Sequence, residues 1–401
     1  MSKKRVCFIS DSARCTHVGQ SIVSYECLRR LAKDYDVCQI GFADAEIREP
    51  KQCNFEVIPA LRSDMHDINK TTELVKKANP DVVIMSHDIW MLPVISELKA
   101  RLPNPRYIGW ITCDGEPQPY NFRPLYKAYD KLLAPTPFTK KVLLDRWCDL
   151  DIDVVPYGIN HEIFHPPIQG KERLKYDLAK AHPQLGQWLN MSGRFVGIFI
   201  GANQDRKNLG LIHESWREFE KGKESTVMLM MFIHSASLSQ EMGSYDLAIF
   251  LQDTKTLKII NTPQPDEIIG QFTAASDILI HPSSGEGFGL TVAQSMACGA
   301  VPVTIPYAAV GDYCNNENSY CIPYTLHTGG FHVHRALSDV NNVVAQLNQA
   351  YNHPTERAAK ASKGVEVAAN FTWENTVEGL KKNIEDVSKI TRNTLYFARI
   401  N

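Results

Sequence analysis

The sequence has almost no net charge. Its 43 lysine and arginine residues are nearly matched by 45 aspartate and glutamate residues in a chain of 401. A chain this close to neutral generates no overall field that would hold nucleic acid or a charged membrane, so any such contact would need a local basic patch. Function must therefore be sought in local motifs rather than in total charge.

The sequence also lacks long hydrophobic runs and closely paired cysteines. No run reaches the length of a membrane span, and the apolar residues after Lys3-Lys4-Arg5 are too few to form a signal-peptide core. The 10 cysteines are scattered without a Cys-x-x-Cys pair, and several lie in apolar segments, which is typical of reduced, buried thiols. We therefore expect a cytoplasmic protein that is soluble or at most peripheral to a membrane.

Short apolar runs alternate with helical patterns along the chain. Hydrophobic residues make up 44% of the sequence, which is enough for two cores at this length. The alternation predicts the α/β class, with two doubly wound, Rossmann-like domains that face one central cleft. The runs expected to form strands are Val6–Ser10, Val37–Phe42, Phe55–Pro59, Val82–Ser86, Tyr107–Thr112, Lys131–Ala134, Arg194–Gly201, Thr226–Ile233, Leu257–Ile260, Asp277–His281 and Val301–Ile305.

A segment that carries several prolines and a glycine, residues 154–167, interrupts this alternation. We place the domain boundary there, with residues 1–160 in an N-terminal domain and residues 161–380 in a C-terminal domain. The final segment, 381–401, is expected to cross back to the first domain. The junction residues would line the floor of the cleft, where a hinge motion could close the site.

Residues 282–303 have the pattern of a strand end, a glycine-rich turn, a helix and the next strand. Gly285, Gly287 and Gly289 would let the backbone take positive φ angles and let a ligand approach closely. A helix that begins between Phe288 and Leu290 would point free N–H groups at an anion or a sugar hydroxyl. The alternative is a turn whose glycines serve packing alone.

A second motif, residues 199–209, has a strand end, a polar loop with Gly201 and Asn203, and a helix start with Arg206 and Lys207. A guanidinium offers a two-pronged contact to phosphate, and an ammonium offers a compact charge. The two cations could balance the negative charge of a departing diphosphate. The alternative is a solvated basic pair at a helix start.

The first half offers weaker candidates. Gly19, preceded by His17, lies where a glycine loop would follow the first strand, and His87 follows a buried strand on the expected cleft side. Asp114 follows the next strand. For Gly19 the alternative is a plain helix entry, and for His87 and Asp114 it is a polar residue that caps a loop.

These motifs together resemble the retaining glycosyltransferases of family four, which have the GT-B fold. That family ends a strand of its C-terminal domain in Glu, seven residues and Glu, and the corresponding positions here are Glu286 and Gln294. Its phosphate loop has Gly-Arg with a Lys five residues after the Arg, and here Gly201 and Lys207 keep the spacing while Ala202 replaces the Arg. A similar Val-Pro-Tyr-Gly-Ile segment lies at the family's domain junction.

The resemblance implies how a nucleotide-sugar donor would bind. Glu286 would contact the donor sugar, and Gln294 would bind ribose hydroxyls less strongly than a carboxylate does. Lys207 and Arg206 would stabilise the leaving diphosphate, with Arg206 able to substitute for the missing arginine. The remaining candidates are His87 for the sugar, Asp114 and His17 for the sugar or acceptor, and Gly19, Gly201, Asn203, Gly285, Gly287, Phe288, Gly289 and Leu290 for the donor.

The resemblance further implies transfer of a sugar to an acceptor hydroxyl with retention of configuration, from a donor-binding C-terminal domain to an acceptor-side N-terminal domain. No metal or other cofactor is expected, because the cations would neutralise the diphosphate. His332 and His334 have metal-like spacing but no acidic or thiol partner nearby, so we expect a loop or lid there. The acceptor stays open among a glycan, a small molecule, a lipid-linked glycan, a protein and a modified nucleic-acid base.

Two other functions fit the same cleft. A GT-B epimerase or phosphorylase would use it, although no motif marks a pyridoxal phosphate lysine. A catalytically decayed binding or scaffold protein would account for the departures at Gln294 and Ala202. Such a decayed site should no longer bind any nucleoside diphosphate, which distinguishes it from a transferase.

Overall fold

Two parallel β-sheets form the framework of the protein. The first is built by the N-terminal part of the chain and the second by the C-terminal part. The computed structural model describes residues 3–15, 19–43, 51–87, 91–181, 191–232, 254–260, 264–329 and 332–389.

The first sheet has seven strands in the order β3-β2-β1-β4-β5-β6-β7, all paired in parallel. The interior strand β1 is buried along nearly its whole length, as expected when helices cover both faces of a parallel sheet. The strands are β1 Arg5–Asp11, β2 Asp36–Ala43, β3 Glu56–Leu61, β4 Val82–His87, β5 Arg106–Ile111, β6 Lys131–Ala134 and β7 Ile152–Val154.

Local sequence signals fix several helix ends in this half. The Asp67 side chain caps α2 by accepting from the backbone N–H groups of Asn69 and Lys70. The Thr136 hydroxyl caps α5, whose first residue is a proline that has no N–H to satisfy. The helices of this half are α1 Gly19–Leu31, α2 Ile68–Ala78, α3 Leu92–Arg101, α4 Arg123–Lys127 and α5 Pro137–Arg146.

The second sheet has six parallel strands in the order β10-β9-β8-β11-β12-β13, which repeats the arrangement of the first six strands of the first sheet. Its strands are β8 Phe195–Gly201, β9 Thr226–Phe232, β10 Leu257–Ile260, β11 Ile278–His281, β12 Val301–Thr304 and β13 Tyr320–Cys321. Its helices are α6 Lys171–Ala181, α7 Leu209–Phe219, α8 Asp266–Ala275, α9 Leu290–Ala297, α10 Val340–Asn352 and α11 Pro354–Ala368.

A last helix, α12 Trp373–Lys389, returns to the first half and packs against α1. The Tyr35 hydroxyl donates to Glu385 at 2.9 Å, and Lys4 forms an ion pair with the same carboxylate. The chain therefore connects the halves twice. The two connections touch, because the Ile159 N–H donates to the Phe371 carbonyl at 2.9 Å. The predicted crossing segment overlaps this helix over residues 381–389, and its remainder lies outside the described residues.

An antiparallel hairpin, β14 Thr325–Thr328 and β15 His334–Leu337, extends from the second half over the cleft. The Ala336 N–H donates to the Ser284 carbonyl at 2.9 Å, and the His334 N–H donates to the Glu116 carbonyl at 2.7 Å. The segment expected to be a loop or lid is thus a paired hairpin that contacts both halves.

One apolar cluster runs through both halves and joins them. Trp110 of β5 packs edge-on against Tyr157 with ring centroids 4.8 Å apart, and Tyr157 packs against Phe288 at 5.1 Å. Apolar contacts at the floor of the cleft therefore hold the two halves together. Over the described ranges, the structure contains no helix whose length and apolar character would allow it to cross a membrane.

Candidate active site

The two motifs of the second half meet at the carboxyl edge of its sheet. Strands β8 and β11 are neighbours, so the segments that follow them leave the sheet side by side. A 3-10 turn, Asp205–Lys207, follows β8, and the glycine-rich turn follows β11. The Ser284 N–H donates to the Arg206 carbonyl at 2.8 Å, which joins the two segments directly.

Glu286 lies at the centre of this meeting point and is 6% exposed. Lys207 Nζ and Arg206 Nη1 each lie 2.6 Å from its Oε1 atom. His281 Nε2 lies 3.0 Å from the same oxygen. Among the described residues, no group forms a hydrogen bond with Oε2, the other carboxylate oxygen.

The electrostatics of this cluster favour an ionised carboxylate. Burial opposes the charge of Glu286, but Arg206, Lys207 and His281 together hold the pKa of Glu286 well below its ordinary value. Burial above all, opposed by Glu286 and assisted by Arg206, lowers the pKa of Lys207 to about 8. Burial, together with Lys207, also lowers the pKa of His281, which favours a neutral imidazole. One carboxylate therefore faces two cations, and the cluster has a surplus of positive charge that suits an anion.

A helix start adds to this positive surface. Helix α9 begins at Leu290, within the predicted limits, and Gly289 precedes it with a φ of 83°. The Tyr313 hydroxyl donates to the Phe288 carbonyl at 2.7 Å and lies 3.0 Å from the Gly289 carbonyl, which holds the turn in place. Free N–H groups and the helix dipole make such a start favourable for phosphate.

The predicted positive φ angles of Gly285 and Gly287 are wrong. Of the three glycines in the turn, Gly289 alone has a positive φ. A Cβ atom on Gly285 would lie 1.9 Å from the Asp114 carbonyl oxygen, and one on Gly287 would lie 2.6 Å from Thr112 Cβ. These two glycines are therefore required by the close approach of the first half rather than by backbone conformation.

The other predicted residues of the β8 motif lie beside the cluster. Gly201 ends β8, and Asn203 follows it before the 3-10 turn. Arg206 Nη1 also donates to the Gly285 carbonyl at 3.3 Å. The guanidinium thus reaches the glycine-rich turn from a position four residues beyond Ala202.

In the first half, Gly19 is the first residue of α1 and faces α9 across the cleft. A Cβ atom built on Gly19 would lie 3.6 Å from Leu290 Cδ1, so the two helix starts are close together. His87 ends β4, but its side chain lies outside what the structure describes, as does all of His17. Asp114 forms an ion pair with Arg335 of the hairpin at 2.9 Å, and not with the Glu286 cluster.

A cavity of about 300 Å³ lies between α1, the junction segment and the start of α8. Gln294 lines it and is 8% exposed, and its side chain has no hydrogen-bond partner among the described residues. Because Gln294 is the fifth residue of α9, it lies about 6 Å along the helix axis from the helix start. The carboxyl group of Asp266 also lines the cavity, and burial raises its pKa.

Sequence reasoning missed His281 as a member of the site. The residue ends β11 five positions before Glu286, and the pattern identified it only as the end of an apolar run. Its position directly before the glycine-rich turn was the signal that could have found it. Among the residues that the structure describes, no group of three or more His, Cys, Asp or Glu side chains could hold a metal ion.

A large part of the second half is similar to a known protein family. Residues 189–366 match the model of the family Glycosyl transferases group 1. The chain is 26% identical over 269 residues to a D-inositol 3-phosphate glycosyltransferase of Acidothermus cellulolyticus, a match that covers 63% of this chain and 52% of that protein. The chain thus spans about half the length of the curated relatives that it matches first.

Two solved structures resemble the whole chain. A sucrose-phosphate synthase from Thermosynechococcus elongatus has a TM-score of 0.69 at 14% identity and covers 96% of this chain and 99% of its own. Anabaena HepE, in complex with UDP and glucose, has a TM-score of 0.71 at 13% identity and covers 96% of this chain and 100% of its own. At such identities the likeness shows the fold alone. The predicted GT-B fold is confirmed, the match of residues 189–366 agrees with the predicted family, and the matches support the prediction of an enzyme.

Proposed function

We propose that the chain moves a sugar from a nucleotide-sugar donor to an acceptor hydroxyl, because residues 189–366 match the family Glycosyl transferases group 1. The observation that carries the proposal is the buried cluster in which Glu286 faces both Lys207 and Arg206. Its surplus positive charge, beside the start of α9, is suited to the diphosphate of such a donor.

We propose that the reaction proceeds with retention of configuration and without a metal ion. The bond between the sugar's anomeric carbon and the diphosphate breaks, and the charge that develops on the diphosphate is stabilised by Lys207, Arg206 and the α9 N–H groups. The acceptor oxygen bonds to the anomeric carbon on the face that the diphosphate leaves, and the acceptor proton departs with the diphosphate. Glu286 accepts a hydrogen bond from a sugar hydroxyl and holds the ring in place.

The cavity beside Gln294 provides room for the nucleoside. A diphosphate between the starts of α1 and α9 would place the ribose about one helical turn further along α9, near the Gln294 amide, which has no hydrogen-bond partner in the described part of the chain. An amide can accept from one ribose hydroxyl and donate to another. Because HepE was solved with UDP and glucose, UDP-glucose is the first donor to test.

The acceptor side is formed by loops of the first half. Asp114 is held at the mouth of the cleft by Arg335, and β4 delivers His87 to the same edge of the first sheet. We propose these residues as contacts to the sugar or the acceptor. The acceptor class is left to a screen of glycans, lipid-linked glycans, small molecules, proteins and modified nucleic-acid bases once the donor is known.

Calorimetric binding tests the proposal directly. UDP, GDP, ADP and their common sugar conjugates are titrated into the wild type and into Lys207→Ala and Glu286→Ala. We expect one nucleotide to bind, Lys207→Ala to weaken it by roughly tenfold to a hundredfold, and added EDTA to change nothing. Lys141→Ala is the matched control, because Lys141 is an exposed lysine of α5 that pairs with Asp145.

The same experiment distinguishes the other functions. The absence of binding by any nucleoside diphosphate would support a decayed scaffold protein, the function that the departures at Ala202 and Gln294 favour. Binding followed by slow donor hydrolysis allows the anomer of the released sugar to be identified by NMR. Release of the opposite anomer would contradict retention, and conversion of the nucleotide sugar into its epimer would indicate an epimerase.

A further inference from the structure

All three donors to Glu286 converge on one oxygen. Lys207, Arg206 and His281 each contact Oε1, while Oε2 has no hydrogen-bond partner among the described residues. Within the described part of the chain, Oε2 is not fully buried, so some of its surface remains accessible from the cleft. The carboxylate is therefore held by one oxygen and presents the other.

The three donors differ in how firmly they are held. The Arg206 side chain is 35% exposed, and Lys207, although buried, is an unbranched chain with several rotatable bonds. His281 is 1% exposed at the end of β11, and its carbonyl accepts from the Thr304 hydroxyl at 2.8 Å on the neighbouring strand. His281 is thus the rigid member of the set.

The imidazole also has a defined direction. Its Nδ1 atom is buried without a partner among the described residues, whereas Nε2 faces Glu286. Burial of the ring, together with Lys207, lowers the pKa of His281 and favours the neutral form. The proton of a neutral ring therefore belongs on Nε2, where it donates to the carboxylate, because on Nδ1 it would be an unsatisfied buried donor.

We infer that His281 is a positioning residue, which fixes Oε1 of Glu286 so that Oε2 faces the donor sugar. This inference rests on the proposed function. An incoming diphosphate attracts both cations, since each gains more from a phosphate group than from a carboxylate that it already shares. His281 is neutral and is not drawn toward the diphosphate, so it keeps its hold on Glu286 when the cations turn to the donor.

The inference predicts a split between two affinities. Loss of the His281 N–H leaves Glu286 free to rotate once the cations engage phosphate, so binding of the sugar suffers. Binding of the nucleoside diphosphate alone, which does not use Oε2, is spared. The ratio of the affinities for UDP-glucose and UDP therefore reports on positioning, whereas a general loss of structure would lower both.

Three variants of one position test this split by calorimetry with UDP and UDP-glucose, or with the corresponding pair that the wild type binds. The amide nitrogen of His281→Gln lies the same number of bonds from Cα as Nε2, whereas that of His281→Asn lies one bond closer. We expect His281→Leu and His281→Asn to weaken the binding of UDP-glucose about tenfold and the binding of UDP less than twofold. His281→Gln should recover most of the affinity for UDP-glucose.

The control is His213→Leu, which removes another buried histidine, on α7. Its affinity ratio should equal that of the wild type. Equal losses for UDP and UDP-glucose in His281→Leu, or no loss at all, would overturn the inference. If His281→Leu does not fold, equal affinities of the Gln and Asn variants would do the same. Failure of the wild type to bind any nucleotide would instead refute the proposed function, and the inference with it.

Discussion

The two halves of the molecule share a strand order but differ in charge at the carboxyl edges of their sheets. In the first half, Asp11 at the end of β1 is paired with Arg62 at 2.8 Å. In the second half, Glu286 meets both Lys207 and Arg206. The common topology places both edges at the cleft, and the second holds a buried carboxylate with two cations on one oxygen. A shared fold therefore does not determine the chemistry of a site, and the proposed anion site is the edge that holds Glu286.

The test with the largest expected effect removes the carboxylate from each edge. Glu286→Leu leaves Lys207 buried without its counter-ion, and we expect the free energy of unfolding to fall by about 3–5 kcal/mol. Asp11→Leu should have a smaller effect, because the Arg62 side chain is 35% exposed and can turn into water. Urea denaturation measures both changes.

A double variant sharpens the first result. Lys207→Met combined with Glu286→Leu replaces the close ion pair by apolar groups and should recover most of the lost stability. If the double variant is less stable than Glu286→Leu, or if Asp11→Leu is as damaging as Glu286→Leu, the described difference between the edges does not govern stability.

The second test compares glycines on opposite sides of the cleft. A Cβ atom on Gly285 would lie 1.9 Å from the Asp114 carbonyl oxygen, so Gly285→Ala should lower the free energy of unfolding by about 1–3 kcal/mol through overpacking. Gly19→Ala should change it by no more than about 0.5 kcal/mol, because its new atom would find ordinary contact at 3.6 Å. Similar effects of the two substitutions would show that the halves can separate at Gly285 without loss of stability.

The third test, with the smallest effect, uses pH. The pKa of Lys207 is lowered by burial from its ordinary value near 10.5 to about 8 in the folded protein. Between these values the unfolded chain binds more protons than the folded one, so stability should rise with pH by roughly 1 kcal/mol per pH unit relative to Lys207→Met. The slope should be absent below pH 8, where Lys207 is charged in both states.

The first half provides the control for this pH test. The Asp11–Arg62 pair contains no lysine, and arginine keeps its proton throughout this range. Arg62→Met should therefore change the stability by the same amount at pH 8 and at pH 9.5. A pH slope in the difference between the wild type and Arg62→Met would mean that other groups titrate there.

Much of the fold could be predicted from the sequence because buried parallel strands carry a strong signal. β11 and β12 appear as apolar runs between turn residues, and the glycines between them place the helix start. The hairpin of β14 and β15 escaped prediction because it buries little. All four residues of β14 are exposed, so no alternation of apolar and polar residues marks it.

Most residues of the site could be predicted from the sequence, but which of them contact each other could not. Lys207 and Glu286 are 79 positions apart, and only the adjacency of β8 and β11 brings them together. His281 was missed because the pattern of a strand does not say which partner its last side chain will meet. The close contact of Gly285 with Asp114 belongs to the packing of the two halves, which no local pattern encodes.

The double connection between the halves has a mechanical consequence. The junction near Ile159 and the segment before α12 run side by side, and a Cβ atom on Gly158 would lie 2.4 Å from the Trp373 nitrogen. A single linker would let one half twist freely about the other. Two adjoining linkers restrict that twist, because both must be accommodated at once. The two connections therefore hold the helix starts at Gly19 and Leu290 in one register across the cleft.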